Sequence, residues 1–319
     1  MNTYGTRFRV TTYGESHGSA VGAVIDGCPS GIVIDQEAIR TALSRRRHGA
    51  KRQEEDVVEW FSGLKDNFTL GTPIAFAIHN NDARPEDYAH LEHLFRPGHA
   101  DYTYYQKYGL RDHRGGGRAS ARETVARVVA GCIAQQLMPE VSLSSAVSVP
   151  ASEPAPHTSQ PLQADTYGGI VTCRITGVPA GIGDPVFGKL NAQLAAAVMS
   201  IPSAIGFEMG AGFAAAGMMG SEYIDRWNSQ PQADASDTTA LTQTNHCGGV
   251  QGGISNGMPI EFRVAFHPVP TLPQPVECLG EDGQLETLAV AGRHDSCHVH
   301  RAAVVVEAMA ALCLINYLL

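Results

Sequence analysis

The sequence predicts an α+β protein built as one duplicated domain, with pseudo-symmetric halves at about residues 1–145 and 165–319. Landmarks that recur in the same order in both halves indicate the duplication. Alternating apolar and polar stretches indicate strands, and longer apolar stretches indicate helices. A length of 319 residues with 43% hydrophobic and 17% charged residues permits a large core and excludes general disorder.

Two glycine and proline landmarks form the repeat. Gly27–Ile32 (GCPSGI) is echoed by Gly177–Ile182 (GVPAGI), and Gly71–Phe76 (GTPIAF) is echoed by Gly257–Phe262 (GMPIEF). Each first landmark follows an alternating stretch and precedes a helix-like one, which favours a repeated supersecondary unit. Chance recurrence among 34 glycines and 18 prolines is the alternative.

Strand patterns come first in each half. Ser19–Gly27 and Gly169–Gly177 alternate apolar and polar residues, as strands with one buried face do. Val57–Phe68 and Thr72–Asn80 are typical of an antiparallel pair. Val147–Asp165 is rich in Pro, Ser and Ala, so we expect a loop that joins the halves.

Helix patterns follow the strands. Gln36–Arg47 predicts a helix with Asp35 as its N-cap, and Phe187–Ser200 predicts the counterpart in the second half. Loops that contain Arg118 and Arg293 then each lead into a long apolar segment.

The last apolar segment, Ala302–Leu319, raises the question of a membrane span. Glu307 and Asn316 interrupt it, and it barely reaches the ~20 residues that cross a bilayer. We therefore expect a buried core helix and no membrane association.

The start of the earlier apolar segment carries a helix-capping signal. Ser120 and Glu123 have the spacing of a capping box, which predicts a helix with Arg122 in its first turn and an apolar run to Met138. The free N–H groups of such a helix start, preceded by Gly115–Gly117, suit a phosphate. The glycine run alone is weak evidence, because it lacks the lysine of a P-loop.

The arginines are unevenly distributed. Five of the 19 lie between Arg40 and Arg52 and six lie between Arg96 and Arg127, whereas the chain contains only four lysines. Arginine binds phosphate or carboxylate through two hydrogen bonds, so these clusters indicate an anionic ligand. Solvated helix faces are the alternative. A net charge of -9 excludes non-specific nucleic-acid binding as a primary function.

Cysteine spacing and the N-terminus bear on metal binding and location. Seven scattered cysteines without Cys-x-x-Cys spacing argue against a disulfide framework. The N-terminus lacks a basic, then apolar, then small-residue run, so we expect a cytoplasmic protein.

The alternative of a zinc site concerns one short segment, which contains His294, Asp295, Cys297, His298 and His300. Close neighbours on an extended segment point to opposite faces, so we expect no metal.

Four segments together resemble the signature segments of the chorismate synthase family: Gly14–Gly18 (GESHG), Arg96–Tyr102 (RPGHADY), Arg118–Glu123 (RASARE) and Gly292–Asp295 (GRHD). The resemblance extends to Arg45–Arg47, Gly248–Gly257 and Arg301–Met309, and so spans nearly the whole chain. It implies a β-α-β sandwich with an internal pseudo-two-fold repeat, assembled as a homotetramer. It also implies that reduced FMN assists an anti 1,4-elimination of phosphate and a C6 hydrogen from 5-enolpyruvylshikimate-3-phosphate, giving chorismate.

The same resemblance implies roles for individual residues. His17 would give a proton to the departing phosphate, His99 would lie at the flavin N1 region, and Asp295 would accept the proton of flavin N5. The implied substrate ligands are Ser16, Arg46, Arg52, Arg96, Arg122 and Arg293. NADPH, as a possible reductant, would be bound by Arg46 and Arg52. The implied FMN contacts are Arg118, Ala119, Ser120, Ala121, Gly252, Arg293, His267, Pro268, Val269, Pro270 and Thr271.

Simpler roles stay open for some of these residues. A single histidine in a glycine-flanked turn, such as His17, can make a structural hydrogen bond, and Asp295 can be a member of an ion pair. The segment His267–Thr271 (HPVPT) stands where the family often has lysine, and Ser296 replaces a common proline, which bears on FMN binding. A catalytically impaired, phosphate- or flavin-binding relative of the family is the alternative function.

Overall fold

The computed structural model describes residues 1–47, 49, 52, 54–149, 165–228, 241–272, 274–288 and 295–319. Most of the expected joining loop Val147–Asp165 lies outside these ranges, as does the expected site residue Arg293. Within them, every assigned strand pair is antiparallel.

The strands of the described residues, numbered in chain order, are β1 (Thr3–Tyr4), β2 (Arg9–Tyr13), β3 (Ala20–Asp26), β4 (Ser30–Val33), β5 (Val58–Ser62), β6 (Leu64–Lys65), β7 (Phe68–Leu70), β8 (Ile74–His79), β9 (Leu94–Phe95), β10 (Ser142–Ser148), β11 (Gly169–Thr176), β12 (Ala204–Met209), β13 (Val250–Gln251), β14 (Ile254–Ser255), β15 (Ile260–Phe266), β16 (Val276–Gly280) and β17 (Leu285–Leu288). The α-helices are α1 (Gln36–Arg47), α2 (Asp101–Tyr108), α3 (Thr124–Gln136), α4 (Leu190–Met199), α5 (Gly220–Tyr223) and α6 (Val299–Leu318). Short 3₁₀ turns cover Pro85–Leu91, Arg114–Ala119, Ala121–Glu123 and Gly212–Gly217.

Two sheets carry the same strand order. One runs β1-β2-β3-β8-β5 and the other runs β10-β11-β15-β12, so the last four strands of the first correspond to the four strands of the second. The central pairs also match in register, because Ile25 faces Ile74 in one sheet and Ile175 faces Ile260 in the other. The predicted α+β fold class with an internal repeat is therefore confirmed.

Helices α3 and α6 lie between the two sheets. α3 contacts β2 and β3, α6 contacts β10 and β11, and the two helices contact each other. A Cβ at Gly131 of α3 would come within 2.5 Å of Ala308 of α6, so glycine permits this close approach. α1 contacts α3 and α4 contacts α6, which completes the helical layer. One hydrophobic core runs through both halves.

The two polar interruptions of α6 have partners inside the protein. Glu307 is buried and accepts two hydrogen bonds of 2.7 Å from the Arg45 guanidinium. The side-chain oxygen of Asn316 accepts the N–H groups of Thr6, Arg7 and Phe8. Among the described helices α6 is long and apolar enough to cross a membrane, but 78% of its apolar window is buried inside the protein. The prediction of a core helix is confirmed.

The first landmark of each half forms the same kind of turn. Gly27 and Gly177 both have positive φ, at 86° and 79°. A Cβ would lie 1.9 Å from the Arg7 carbonyl oxygen at Gly27 and 1.8 Å from that of Glu140 at Gly177. Both positions therefore require glycine for the same two reasons, backbone angle and lack of space.

Several predicted elements are confirmed. β3 and β11 fall within the two alternating stretches, and β5 pairs with β8 as expected. α1 has the predicted bounds, and Asp35 Oδ1 accepts the N–H groups of Glu37 and Ala38 at 2.9 and 3.0 Å. This is the N-cap that the sequence indicates.

Three local predictions are wrong in part. Val57–Phe68 is not one strand, because the chain turns at Asp66 and Asn67, both with positive φ, and β6 pairs with β7 as a tight hairpin. α4 begins at Leu190 instead of Phe187, because Lys189 has a non-helical backbone, with ψ 129°, and is the N-cap.

The third concerns the capping box, which forms only in part. Ser120 Oγ accepts the N–H of Arg122 at 3.4 Å, but the Glu123 carboxylate pairs with Arg127. Arg122 consequently lies in a 3₁₀ turn that precedes α3.

Candidate active site

A cavity of about 260 Å³ lies where the last turn of α1, the start of α3 and the start of α6 meet. Its lining includes Ser16, His17, Arg46, Arg52, Ser120, Ala121, Arg122 and Asp295 of the residues that the sequence indicates. The beginnings of α3 and α6 both approach it, and helix N-termini attract anions. The structure therefore brings the expected acid, most expected arginines and the expected carboxylate to one place.

His17 lies against Gly115 and Tyr88 at the edge of the cavity. Its ring centroid is 4.8 Å from that of Tyr88. A Cβ at Gly115 would lie 2.2 Å from the imidazole, and Gly115 has φ 58°. The glycine run thus makes room for a histidine, in addition to any role in ligand approach. Among the described residues, buried His17 Nδ1 has no hydrogen-bond partner.

Burial and the nearby Arg52 lower the pKa of His17 to about 4. In the free protein at pH 7 the imidazole is therefore neutral, unlike the near-neutral titration expected from the sequence. A phosphate bound beside it would favour the protonated form by opposite charge. The protonated fraction of His17 would therefore rise when an anion binds.

Ser16 and Arg52 are joined to each other and to Glu54. Arg52 Nη1 donates to the carbonyl and hydroxyl oxygens of Ser16 at 3.0 and 3.2 Å, and Nε donates to Glu54 Oε1 at 2.8 Å. The Ser16 N–H donates to the Gly117 carbonyl at 3.1 Å. The turn that carries Ser16 and His17 is thereby tied to the glycine run and to the arginine.

Arg46 and Arg122 approach the cavity from different elements. Arg46 donates to Thr124 Oγ1 and the Ala121 carbonyl at 3.0 and 2.7 Å. Arg122 donates to Asn80 Oδ1 at 2.8 Å and pairs with the buried carboxylate of Asp56. Burial lowers the pKa of Arg46 to about 10, which still leaves it charged at pH 7.

Asp295 lines the cavity and pairs with Arg301 in the first turn of α6. The ion-pair role that the sequence left open is therefore present, although its partner is Arg301 and Arg293 lies outside the described residues. α6 begins at Val299, so His300 is helical and the expected extended segment around it is wrong.

His99 lies apart from the cavity lining, next to the predicted flavin segment. Its Nδ1 is 3.0 Å from the Pro97 carbonyl oxygen and its Nε2 is 3.0 Å from Thr271 Oγ1. A Cβ at Gly98 would lie 2.8 Å from Pro270, which shows how closely the two segments approach. Burial, with a smaller effect of Arg96, lowers the pKa of His99. Two expected parts of a flavin site are thus brought together.

The remaining predicted ligands are more dispersed. Arg96 is buried in a two-hydrogen-bond pair with Asp101, at 2.8 and 3.1 Å, and does not line the cavity. Arg118 and Ala119 line two neighbouring cavities of about 410 and 560 Å³. Arg118 donates to the Thr12 carbonyl at 2.8 Å.

Gly252 lies at the turn between β13 and β14, beside the start of α4. Gly253 accepts the N–H of Leu190 there, and Tyr317 at the end of α6 donates to nearby Gly188. Sixteen residues of α6 separate Tyr317 from Arg301, and this distance is about 24 Å at ~1.5 Å per residue. Gly252 is therefore far from the cavity within one chain.

Comparison with known proteins identifies the family. The family model of chorismate synthase matches residues 8–155 and 155–319. The chain is 45% identical over 353 residues to the chorismate synthase of Christiangramia forsetii, covering 100% of this chain and 97% of the relative. The chorismate synthase of Porphyromonas gingivalis is 47% identical over 347 residues, covering 97% and 93%. The chain belongs to the chorismate synthase family.

A solved chorismate synthase structure agrees with this assignment. It is 27% identical in sequence, superimposes with a TM-score of 0.74, and the match covers 99% of this chain and 92% of that one. Chorismate synthase activity follows for this protein, as a carbon–oxygen lyase of the shikimate pathway in amino-acid biosynthesis. The predicted family, enzyme class and activity are confirmed.

The structure adds to this candidate site four residues to which the sequence assigned no role. Glu54, Asp56, Tyr88 and Arg301 all line the cavity. Arg301 lies in the first turn of an apolar helix that the sequence predicts, so its position near a helix N-terminus could have been read from the sequence. The other three come from segments without a local pattern, and only the fold brings them to the cavity.

Proposed function

We propose that this chorismate synthase binds 5-enolpyruvylshikimate-3-phosphate in the cavity of about 260 Å³ and uses reduced FMN for the elimination. The observation that carries the proposal is the convergence of Ser16, His17, Arg46, Arg52 and Arg122 on that cavity. Typical ligand sites occupy ~300–1,000 Å³. A cavity at the lower end suits one ring-sized ligand, with the flavin at its opening.

In this proposal the arginines bind the anionic groups of the substrate. Arg46, Arg52 and Arg122 present fixed guanidinium groups, which neutralise the leaving phosphate without reorganisation during the reaction. Arg293 and Arg96 are proposed as further ligands, and Arg96 would have to act from its buried pair with Asp101. Arg301 joins this set because it lines the same cavity.

His17 would give a proton to the phosphate as it leaves. Its low pKa in the free protein means that the substrate itself raises the protonated fraction, by placing negative charge against the imidazole. Asp295 would accept the proton of flavin N5, and its pairing with Arg301 would hold the carboxylate in place.

Donor groups outside the cavity lining fit the polar edge of a flavin. His99 and Thr271 offer an imidazole and a hydroxyl, and the buried Nε2 of His298 has no hydrogen-bond partner among the described residues. Residues 267–271 and Ser120–Ala121 would hold FMN there, and Arg118 and Ala119 would bind it from the adjoining cavities. When bound, reduced FMN supplies transient electron donation to the substrate.

Assembly and the source of electrons belong to the same proposal. We infer a homotetramer, in which Gly252 of another copy would contact the flavin because Gly252 of the same chain is too far away. NADPH is proposed as a reductant that Arg46 and Arg52 would bind. A cytoplasmic location stays a prediction.

An anaerobic assay tests the proposal. Protein, dithionite-reduced FMN and substrate are mixed, and phosphate release and chorismate absorbance are followed together. Equal amounts of both products are expected, and no product with oxidised FMN. NADPH with FMN replaces dithionite in a second arm, which tests whether the protein reduces its own flavin. Product formation at the same rate without any flavin would refute the cofactor assignment.

His17→Ala and His99→Ala test the two histidines in the same assay. Unchanged turnover in either variant would remove that histidine from the mechanism.

A further inference from the structure

Asp56 is an acidic residue in the wall of a cavity that otherwise suits an anion. Its side chain is 0% exposed, and its backbone adopts φ 54°, a left-handed conformation that few non-glycine residues adopt. Burial of a carboxylate is unfavourable unless charged or hydrogen-bonding partners surround it. The burial and backbone conformation of Asp56 are therefore to be explained by its contacts with other segments.

The partners of Asp56 are two arginines of the cavity. Asp56 Oδ1 accepts a hydrogen bond from Arg122 Nη1, and Oδ2 lies 3.9 Å from Arg46 Nη1. Oδ2 has no hydrogen-bond partner among the described residues. Arg46 comes from α1 and Arg122 from the turn before α3. Asp56 thus lies between two guanidinium groups from different elements, and it adds a carboxylate to the contacts that Arg46 makes with Ala121 and Thr124.

The charges of the cavity favour such a bridge. Burial is the main cause of the lowered pKa of Arg46, Asp56 acts against this shift and Arg122 adds to it, as expected when two cations approach each other and an anion lies between them. Among the described lining residues, six arginines face five carboxylates. With so small an excess of positive charge, affinity for an anion depends on where the guanidinium groups are held.

Glu54, two residues earlier, acts in the same manner on Arg52. Its carboxylate accepts Arg52 Nε at 2.8 Å and the N–H groups of Asn81 and Asp82 at 3.0 and 3.2 Å. Two carboxylates of one short segment therefore contact three of the proposed substrate arginines.

We propose that Asp56 is a positioning residue, which holds Arg46 and Arg122 side by side to receive the phosphate of the substrate. This rests on the proposed function of the cavity. A purely structural Asp56 would affect stability alone. A purely electrostatic Asp56 would oppose anion binding, so that loss of its charge would tighten binding.

The sign of the effect on phosphate binding distinguishes these roles. Asp56→Asn keeps the shape and removes the charge, and Asp87→Asn removes an exposed charge from the same cavity as a matched control. Titration calorimetry with inorganic phosphate is expected to show Kd raised about tenfold or more for Asp56→Asn. For Asp87→Asn, Kd is expected to stay within about twofold or to fall. Equal or tighter phosphate binding by folded Asp56→Asn would overturn the proposal.

Steady-state kinetics gives the second readout. For Asp56→Asn, we expect KM to rise and kcat to fall, with kcat/KM lowered about 100-fold, because both arginines lose their common anchor. A stability loss with kcat/KM per folded molecule unchanged would show a structural role only and would also overturn the proposal.

Asp56→Glu covers the case in which the asparagine variant does not fold. It keeps the charge but moves the carboxylate, so positioning predicts weaker phosphate binding, and unchanged binding contradicts positioning. Failure of the proposed function has a different signature: Asp56→Asn would bind phosphate less well than wild-type protein, yet both would form chorismate with the same kcat/KM.

Discussion

The two halves share a strand order but differ in chemistry. Of the described cavity residues, only Asp295 and Arg301 come from the second half, and the other fifteen come from the first. The corresponding helices show the same contrast, because the last turn of α1 carries Arg45, Arg46 and Arg47, whereas that of α4 carries no basic residue. The two halves thus share a scaffold, and the candidate site lies mainly in the first of them.

Arg122→Gln is the strongest test of that contrast. It removes a buried guanidinium from the cavity and leaves Asp56 without its closest cation. We expect kcat/KM in the anaerobic assay to fall about 100- to 1,000-fold, as for loss of a group that stabilises developing charge. Arg263→Gln, which breaks an exposed pair with Glu208 in the second sheet, is the control. Similar losses in both variants would contradict a one-sided site.

Gly115→Ala tests the contact between the glycine run of the first half and His17. The added methyl would overlap His17 and displace the imidazole, so we expect turnover to fall about 100-fold. Gly181→Ala in the second half has the same kind of positive φ, 96°, but open space around the Cβ. It should lose stability from backbone strain while keeping its activity per folded molecule. Equal turnover in both variants would show that the contact with His17 is unimportant.

The dependence of stability on pH allows a comparison of two partly buried histidines, one from each half. Burial lowers the pKa of both His17 and His298 to about 4, below the ~6.5 of an unfolded chain. The unfolded state then binds more protons, so the stabilisation is complete above pH 6.5 and is lost as pH falls toward 4.

His17→Gln and His298→Gln should each reduce the fall in Tm between pH 7 and pH 4.5. The exposed His93→Gln is the control for the substitution itself. An unchanged pH dependence in either buried variant would mean that this histidine is protonated in the folded state at higher pH than inferred.

The smallest effects are expected where the halves are most alike. Arg9 pairs with Asp26 across β2 and β3, and Arg174 pairs with Glu261 across β11 and β15, and both arginines are about half exposed. Arg9→Gln and Arg174→Gln should each change the free energy of unfolding only slightly, because solvent screens such pairs. Denaturant titration checks this, and a loss of several kcal/mol in either sheet would reveal a hidden asymmetry.

The fold was predictable where local pattern decides structure. α1 begins after its Asp35 cap at the residue expected, and the alternating stretches became β3 and β11. The errors occur where positive φ angles turn the chain or where another side chain takes up a group that a predicted contact needs. Asp66 and Asn67 turn the chain inside an apparent strand, and Arg127 takes the carboxylate that the capping box required.

The sequence predicted which residues belong to the site better than it predicted where those residues lie in the structure. His17, Ser16, Arg46, Arg52, Arg122 and Asp295 line one cavity as the resemblance implied. His99, Arg96 and Gly252 do not line it, and Asp56 and Arg301 were not anticipated. Spacing along the chain gives no distance between segments that are more than a hundred residues apart.

The sequence by itself determined the family, the internal repeat and the main elements, because these depend on local patterns and on residues that stand in a fixed order. The tertiary structure alone decided which arginines share a cavity, that carboxylates nearly balance them, and that His17 is neutral before an anion arrives. These properties depend on burial and on charges from distant segments. Such interactions fall off with distance in space and have no fixed relation to distance along the chain.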